Sequence, residues 1–296
     1  MNKEDICAVV TTFRPSESFP DNIQRIISQV GLLVIVDDGD YDDNVWKLKK
    51  WFGGLKNLVI HHNQYNSGIA YSLNVGVNIA KDRGYRWALL LDDDSVVPEN
   101  MTKTLLQALQ TASREKSLAI IGADHRLKAD AGVNQGKSSI PLSCTTLTRI
   151  TSGSLISIDA YDKIGRFNED YFIDYVDIEY CLRANSSGYV VKDVRNIVMI
   201  HPVGSELKRG FVTIRSQHNP ERQYYFFRNS TDVIARYWKK FPLFSLSVAL
   251  NQIKTLVKII FFQDAKMRRI GLMAKGIRDA HNGRFGKLRT SLDPDK

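Results

Sequence analysis

Trp87-Ala88-Leu89-Leu90-Leu91-Asp92-Asp93-Asp94-Ser95 runs an unbroken apolar stretch into three consecutive carboxylates. A run this short and this apolar predicts a strand buried on both faces of a sheet, with the acids emerging at its carboxyl end. Open α/β sheets bind ligands at that edge. Adjacent acids repel one another unless a cation sits among them, and hard oxygen donors suit Mg2+ or Mn2+ carrying a phosphate. A solvated acidic turn ahead of a helix opened by Pro98 is the competing reading, and the commoner one for an isolated triplet.

The flanking sequence supplies context. Ile6-Cys7-Ala8-Val9-Val10-Thr11-Thr12 reads as a first buried strand, stopped by Arg14-Pro15 and followed by an amphipathic run over 22–30. Leu32-Leu33-Val34-Ile35-Val36 then ends in Asp37-Asp38-Gly39, repeating the pattern of strand and acid. A helical segment over 45–52 leads to a third strand, Leu58-Val59-Ile60. Strands alternating with helices of this length predict right-handed crossovers and a mostly parallel, nucleotide-binding type of α/β layer. Asn66-Ser67-Gly68 precedes Ala70, Leu73, Val77 and Ala80 at helical spacing. Such a helix start would offer N–H groups to a phosphate; equally, Gly68 only lets the loop turn.

Downstream, a helix over 99–112 and a strand over 118–122 precede a loop-rich insertion at 124–150. Small residues over 151–157 would let backbone approach a ligand closely. Asp177 fits the N-cap of a helix that buries Cys181 and Leu182, although capping by itself explains such an acid. Two strands, over 189–191 and 197–200, bring the chain to His201-Pro202-Val203-Gly204. From Pro220 the sequence reads as three helices, over 222–240, 243–262 and 266–281. The expected organisation is an α/β domain over 1–215 and a helical region over 216–296.

Charge separates the same two regions. The chain of 296 residues carries a net charge of +9. Residues 201–296 hold 19 Lys+Arg against 7 Asp+Glu, a surplus of 12, while 22 against 25 in the preceding residues leaves a deficit of 3. A basic tail seeks an anionic partner, either nucleic acid or a membrane surface. Its cations are interleaved with long aliphatic runs and match no nucleic-acid module, which favours the membrane. Lys254 and Lys258 near the middle of 243–262 favour a helix lying on a surface over one that spans a bilayer. Packing on the first domain, or on a second subunit in a homo-oligomer, is the alternative. Cys7, Cys144 and Cys181 have no paired or metal-type spacing and read as free thiols. With acids at Glu4 and Asp5 in place of a signal sequence, a cytoplasmic protein at the inner membrane is expected.

Taken together, these stretches resemble the inverting family 2 glycosyltransferases of GT-A fold over nearly the whole chain. In that family the first strand matches Val9-Val10-Thr11-Thr12-Phe13, and the second ends in acids matching Asp37-Asp38-Gly39 that contact the pyrimidine and ribose. Asn66-x-Gly68-x-Ala70 with Asn74 and Gly76 also resembles the family. The resemblance thus implies a donor site of Thr11, Phe13, Asp37, Asp38, Asn66, Gly68, Asn74, Asp92 and Asp93. The Asp-x-Asp metal motif falls on Asp92 and Asp94. Asp92 is then expected at the donor's ribose or sugar, Asp93 behind it, and Asp94 with His201 at Mn2+ or Mg2+. The family's catalytic base precedes a Glu by two places, as Asp177 precedes Glu179, with Asp174 as the rival.

His201 with Gly204, the stretch Tyr224-Tyr225-Phe226-Phe227-Arg228-Asn229, and Gly276-Ile277-Arg278-Asp279 are similar to the bacterial rhamnosyltransferase group. That implies transfer of L-rhamnose from dTDP-L-rhamnose to a glycan or lipid-linked glycan. A UDP-dependent galactofuranosyl- or hexosyltransferase of the same fold is the alternative donor reading. A basic nucleic-acid-binding protein is the alternative of another class. A metal-dependent nucleotidyltransferase would leave Asp177-Ile178-Glu179 unexplained and would lack a Walker-type phosphate loop.

Overall fold

Four parallel strands carry the acids to one edge. They are β1 (Ile6–Thr12), β2 (Leu32–Asp37), β3 (Leu58–His62) and β4 (Trp87–Asp92), hydrogen-bonded in the order β3-β2-β1-β4. The crossovers are α1 (Phe19–Ile27), α2 (Asp42–Phe52) and α3 (Ile69–Asp82). The computed structural model describes residues 2–39, 42–112, 117–127, 143–201, 206–209, 212–215 and 219–288. Register aligns the strand ends: Thr11 lies opposite both Val36 and Asp92, Thr12 opposite Asp37, and Asp37 opposite His62.

The apolar runs of β1, β2 and β4 are buried throughout, as expected for strands covered on both faces. Side chains alternate between the two faces. Ile6, Ala8, Val10, Leu33, Ile35, Leu89 and Leu91 pack with Phe19, Ile23 and Ile26 of α1 and with Met101, Leu105 and Leu109 of α4 (Met101–Ala112). Helix α3 covers the opposite face, where Gly76 meets Val9 and Val36.

Beyond β4 the sheet is mixed. Its order continues through β7 (Ser154–Ser157), β5 (Leu118–Leu127), β8 (Val190–His201) and β6 (Ser143–Thr145). Strand β7 runs antiparallel to β4 and β5, and β5 pairs in parallel with β8. The expected strand over 118–122 continues to Leu127, and the two expected strands over 189–200 are one. The β5–β8 ladder crosses a register shift between Ala123 and Asp124 and so continues where the apolar pattern breaks. Residues 128–142 of the expected insertion lie outside the described residues; its end supplies β6, antiparallel to β8. Cys7, Cys144 and Cys181 are free, and burial pushes the Cys7 thiol up to about 12.

The described chain forms two units. The first comprises Met1–Phe167 and Tyr180–Pro202, including α5 (Ile158–Ile164). The second comprises Asn168–Glu179 and Val203–Lys296. It contains the short hairpin β9 (Glu206–Arg209) and β10 (Val212–Arg215), then α7 (Pro220–Tyr237), α8 (Pro242–Phe262) and α9 (Lys266–His281). A Cβ at Gly276 of α9 would lie 2.5 Å from the Tyr224 carbonyl oxygen and 3.1 Å from the Arg228 nitrogen of α7. Those two helices therefore touch backbone to backbone.

In the first unit, a Cβ at Gly76 would run into Val9 and press on Val36. Gly76→Ala is expected to cost about 1–3 kcal/mol by overpacking this face, read as a lower urea or thermal midpoint. An unchanged midpoint would contradict the close seating of α3 on β1 and β2.

Candidate active site

The acids at the β2 end are committed to the fold. Asp37, 1% exposed, lies 3.1 Å from His62 Nδ1 and accepts from Asn44 Nδ2 at 3.3 Å. Asp38 accepts from Asn63 Nδ2 and from the backbone N–H groups of Ser67 and Gly68, each at 2.8 Å. Burial outweighs these donors and raises the Asp38 carboxyl above its ordinary range. Gly68 has φ 91 and ψ 162, a conformation open to glycine, and it turns the chain into α3. The N–H groups of Ser67 and Gly68, just ahead of α3, are thus spent on Asp38. Asn66 is half-buried on the same loop.

Asn74 is fully buried. Its Nδ2 donates to the Phe167 carbonyl at 2.9 Å, and its Oδ1 accepts from Tyr161 Oη at 2.8 Å and Phe167 N at 2.9 Å. In the described chain it ties α3 to the residues after α5. Thr11 is buried at the end of β1, and Phe13 beyond it is 41% exposed, with the Arg14 guanidinium 5.0 Å from its ring centroid.

The three acids after Leu91 separate by environment. Asp92 is half-buried, and its N–H donates to Ser95 Oγ at 3.1 Å; Ser95 Oγ lies 2.6 Å from Ser152 Oγ. Asp93 turns inward: its Oδ2 accepts from Thr12 Oγ1 at 2.8 Å, and its carbonyl accepts from Asn22 Nδ2 at 3.0 Å. Burial first, and the neighbouring Asp94 charge as well, raise the Asp93 carboxyl, against the lowering effect of the Thr12 bond. Asp94 is exposed. Among the described residues no three His, Cys, Asp or Glu side chains converge as a metal-binding group. His201 ends β8, and its side chain lies outside the described residues, as does Gly204. An exposed carboxylate at Asp94 beside a half-buried one at Asp92 is a hard-oxygen donor set. It fits Mg2+ or Mn2+, which fill their remaining positions with water and phosphate oxygens.

Helix α6 (Val176–Ser186), whose first four residues belong to the second unit, begins two residues earlier than an N-cap at Asp177 implied. Asp177 therefore sits inside the first turn, where its Oδ1 accepts from Ile178 N at 2.8 Å. The residues before it are strained: Phe172, Asp174 and Tyr175 have φ of 58, 65 and 64. Left-handed backbone at residues other than glycine costs roughly 1–3 kcal/mol each and persists only where surroundings impose it. Arg222 takes both Asp174 oxygens, Nη2 at 2.8 Å and Nε at 3.1 Å. Glu179 is buried and accepts from Tyr237 Oη at 3.0 Å. Burial, with the Asp174 and Asp177 charges adding, pushes the Tyr175 hydroxyl up to about 12.

Sequence reasoning missed the residues that hold these acids: Thr12, Asn22, His62, Asn63 and Arg222. Their signal is faint but present, since Thr12 and His62 are polar groups at strand ends that lie opposite Asp37 in register, and Asn63 follows His62 directly.

Because the folded-state Asp93 carboxyl titrates above its unfolded value, the folded protein holds this proton longer. Its contribution to stability is present at low pH and lost as pH rises through the raised value. Asp93→Asn removes the ionisation, so the variant's Tm relative to wild type is expected to climb as pH rises above the ordinary carboxylate range of about 4. A difference independent of pH would contradict the buried, charge-penalised environment.

Residues 7–125 match the model of glycosyl transferase family 2. The chain is 24% identical over 243 residues to the dTDP-rhamnosyl transferase RfbF of Shigella flexneri, covering 76% of this chain and 78% of that protein. It is 29% identical over 111 residues to the glycosyltransferase GlyG of Streptococcus pneumoniae, 36% of each. Among solved structures, GalNAc-T7 with UDP, GalNAc and Mn2+ superposes with a TM-score of 0.51 at 12% identity, over 66% of this chain and 42% of that one. TarS of S. aureus superposes with a TM-score of 0.50 at 12% identity, over 95% of this chain and 43% of that one. This chain thus spans less than half of either structure, and the likeness is one of fold. The mixed sheet with its acid-bearing edge is of GT-A type, and residues 7–125 carry a glycosyl transferase family 2 domain, which together with the likeness to a rhamnosyl transferase supports a glycosyltransferase.

Proposed function

We propose that the chain transfers L-rhamnose from dTDP-L-rhamnose, with inversion, to a glycan or lipid-linked glycan. The observation that carries this reading is the likeness to a dTDP-rhamnosyl transferase across 76% of the chain. In this reading Thr11, Phe13, Asn66 and Asp92 face the donor, and the Asp37–Asp38 pair holds the loops that border it. Gly68, Asn74 and Asp93 shape the site from behind. Asp94 and His201 would hold the divalent ion, Mn2+ or Mg2+, which when bound neutralises the departing diphosphate.

Inversion needs one displacement and one base. The acceptor hydroxyl attacks the anomeric carbon, the bond to the dTDP oxygen breaks with its electron pair, and the hydroxyl proton passes to Asp177. Asp174 is disfavoured because both its oxygens are engaged by Arg222. Asp177→Asn is expected to lower turnover of dTDP-L-rhamnose by about 10²–10⁴-fold while donor affinity holds, measured as dTDP release beside equilibrium binding. Near wild-type turnover in Asp177→Asn, with loss in Asp174→Asn, would reassign the base.

The tail gives this reading a place. Leu243, Leu246, Leu250, Ile253, Val257 and Ile260 recur along α8 at alternating steps of three and four, and all are exposed. Only 17% of the apolar stretch of α8 is buried. Lys254 and Lys258 are exposed along one edge of that stripe, and the helix contains no acid. At its ends stand exposed Trp238 with Lys239 and Lys240, and exposed Met267 with Lys266 and Arg268. Two copies packed stripe to stripe would oppose lysines without a carboxylate to pair them. An anionic bilayer accepts the apolar stripe and attracts its basic rim. These features support a reading in which the protein docks on the cytoplasmic face of the inner membrane, beside a lipid-linked acceptor. Sedimentation with anionic liposomes is expected to pull down the protein at low salt. Neutralising Lys254, Lys258, Lys266 and Arg268 should release it. Equal binding by both forms, or concentration-dependent dimerisation without lipid binding, would overturn the membrane placement.

A further inference from the structure

The tail motifs carry a second consequence, in the strained segment ahead of Asp177. Arg228 is fully buried. A buried guanidinium is tolerated only when its donors are met. Its Nη2 donates to the carbonyls of Asp170 at 2.9 Å and Tyr171 at 3.1 Å, its Nη1 to that of Gly286 at 2.6 Å, and its Nε to Asn229 Oδ1 at 2.9 Å. The rings of Tyr224, Tyr225 and Phe285 surround it at 5.2–5.4 Å. Asn229, also fully buried, donates from Nδ2 to the carbonyls of Tyr171 at 2.9 Å, Ile173 at 2.8 Å and Asp174 at 2.8 Å. Two adjacent side chains of α7 thus receive four carbonyls from the five residues 170–174.

The other tail motif closes the same pocket. Gly276 lets α9 approach α7 at Tyr224 and Arg228, and Asp279 accepts from Tyr224 Oη at 2.9 Å. One turn of α7 further on, Asp232 accepts from Tyr171 Oη at 2.6 Å. Three left-handed residues in four would relax without such a frame.

We propose that Arg228 and Asn229 are positioning residues for the base: by holding the carbonyls of 170–174 they fix the backbone that presents Asp177 in the first turn of α6. The proposal rests on Asp177 as the base. Arg222 extends the same hold to the Asp174 side chain.

A double-mutant cycle tests it, on the full chain with dTDP-L-rhamnose. Asn229→Ala is expected to lower kcat by about tenfold or more with donor affinity within about twofold, because misplacing a reacting group costs the chemical step. In the Asp177→Asn background the same substitution is expected to cost little, since there is no base left to misplace. Arg222→Gln, at the half-exposed end of α7, should show the same coupling at smaller size and serves if Asn229→Ala does not fold. Gly76→Ala, which overpacks the first unit, is the comparison for a purely structural loss and should lack the coupling. Additive losses in the cycle, or equal losses of donor affinity and kcat, would overturn the positioning proposal while leaving the base in place. Retained turnover in Asp177→Asn alone would instead overturn the base, and the proposal with it.

Discussion

Carboxylates gathered at one edge of a sheet repel one another, and the first unit is built to absorb that repulsion. Each acid fixed by the parallel register of β1, β2 and β4 either takes donors from a neighbouring strand or loop or faces solvent. Asp38 gathers the loop before α3, Asp37 holds Asn44 and His62, and Asp93 turns back onto Thr12. These three acids organise the loops around the edge. What remains outward is Asp94, with Asp92 half-buried beside it. A chemistry that brings in a diphosphate and a divalent ion adds charge of both signs at this point, where exposed carboxylate is left to meet it.

The second unit solves a different problem. Backbone in a costly conformation precedes Asp177, and it is held by a buried arginine and a buried amide whose donors go mainly to main-chain carbonyls. Because those donors sit on α7 and their pocket is closed by α9, the C-terminal helices are part of the machinery that shapes this segment. The basic and apolar exterior of α8 faces away from that work. One helical region therefore has an inner face devoted to order and an outer face suited to a charged, apolar surface.

Much of this was legible in the residues. Unbroken apolar runs ending in acids located β1, β2 and β4, and the helical spacing of Ala70, Leu73, Val77 and Ala80 located the face of α3 that seats on the sheet. The tail helices followed from the same periodicity. The antiparallel β7 between β4 and β5 was not legible, because four residues such as Ser154–Ser157 carry no sign of strand direction. Nor was the length of β5, whose ladder with β8 continues through the polar residues Asp124, His125 and Arg126. At the site, acidity marked Asp37, Asp38, Asp93 and Asp94 alike. Their different uses depend on partners distant in the chain, such as Thr12 for Asp93 and Arg222 for Asp174. Arg228 and Asn229 stood out as a motif, yet their targets are carbonyls, which every residue has.

The division of the β4 acids between fold and chemistry is the claim on which the site stands, and Mn2+ binding tests it without turnover. Free and bound Mn2+ can be measured by electron paramagnetic resonance in the presence of dTDP, for wild type, Asp93→Asn and Asp94→Asn. Asp94→Asn should weaken binding by about tenfold or more, as expected for loss of a coordinating group, while Asp93→Asn stays near wild type. Loss of Mn2+ binding in Asp93→Asn with retention in Asp94→Asn would contradict the account.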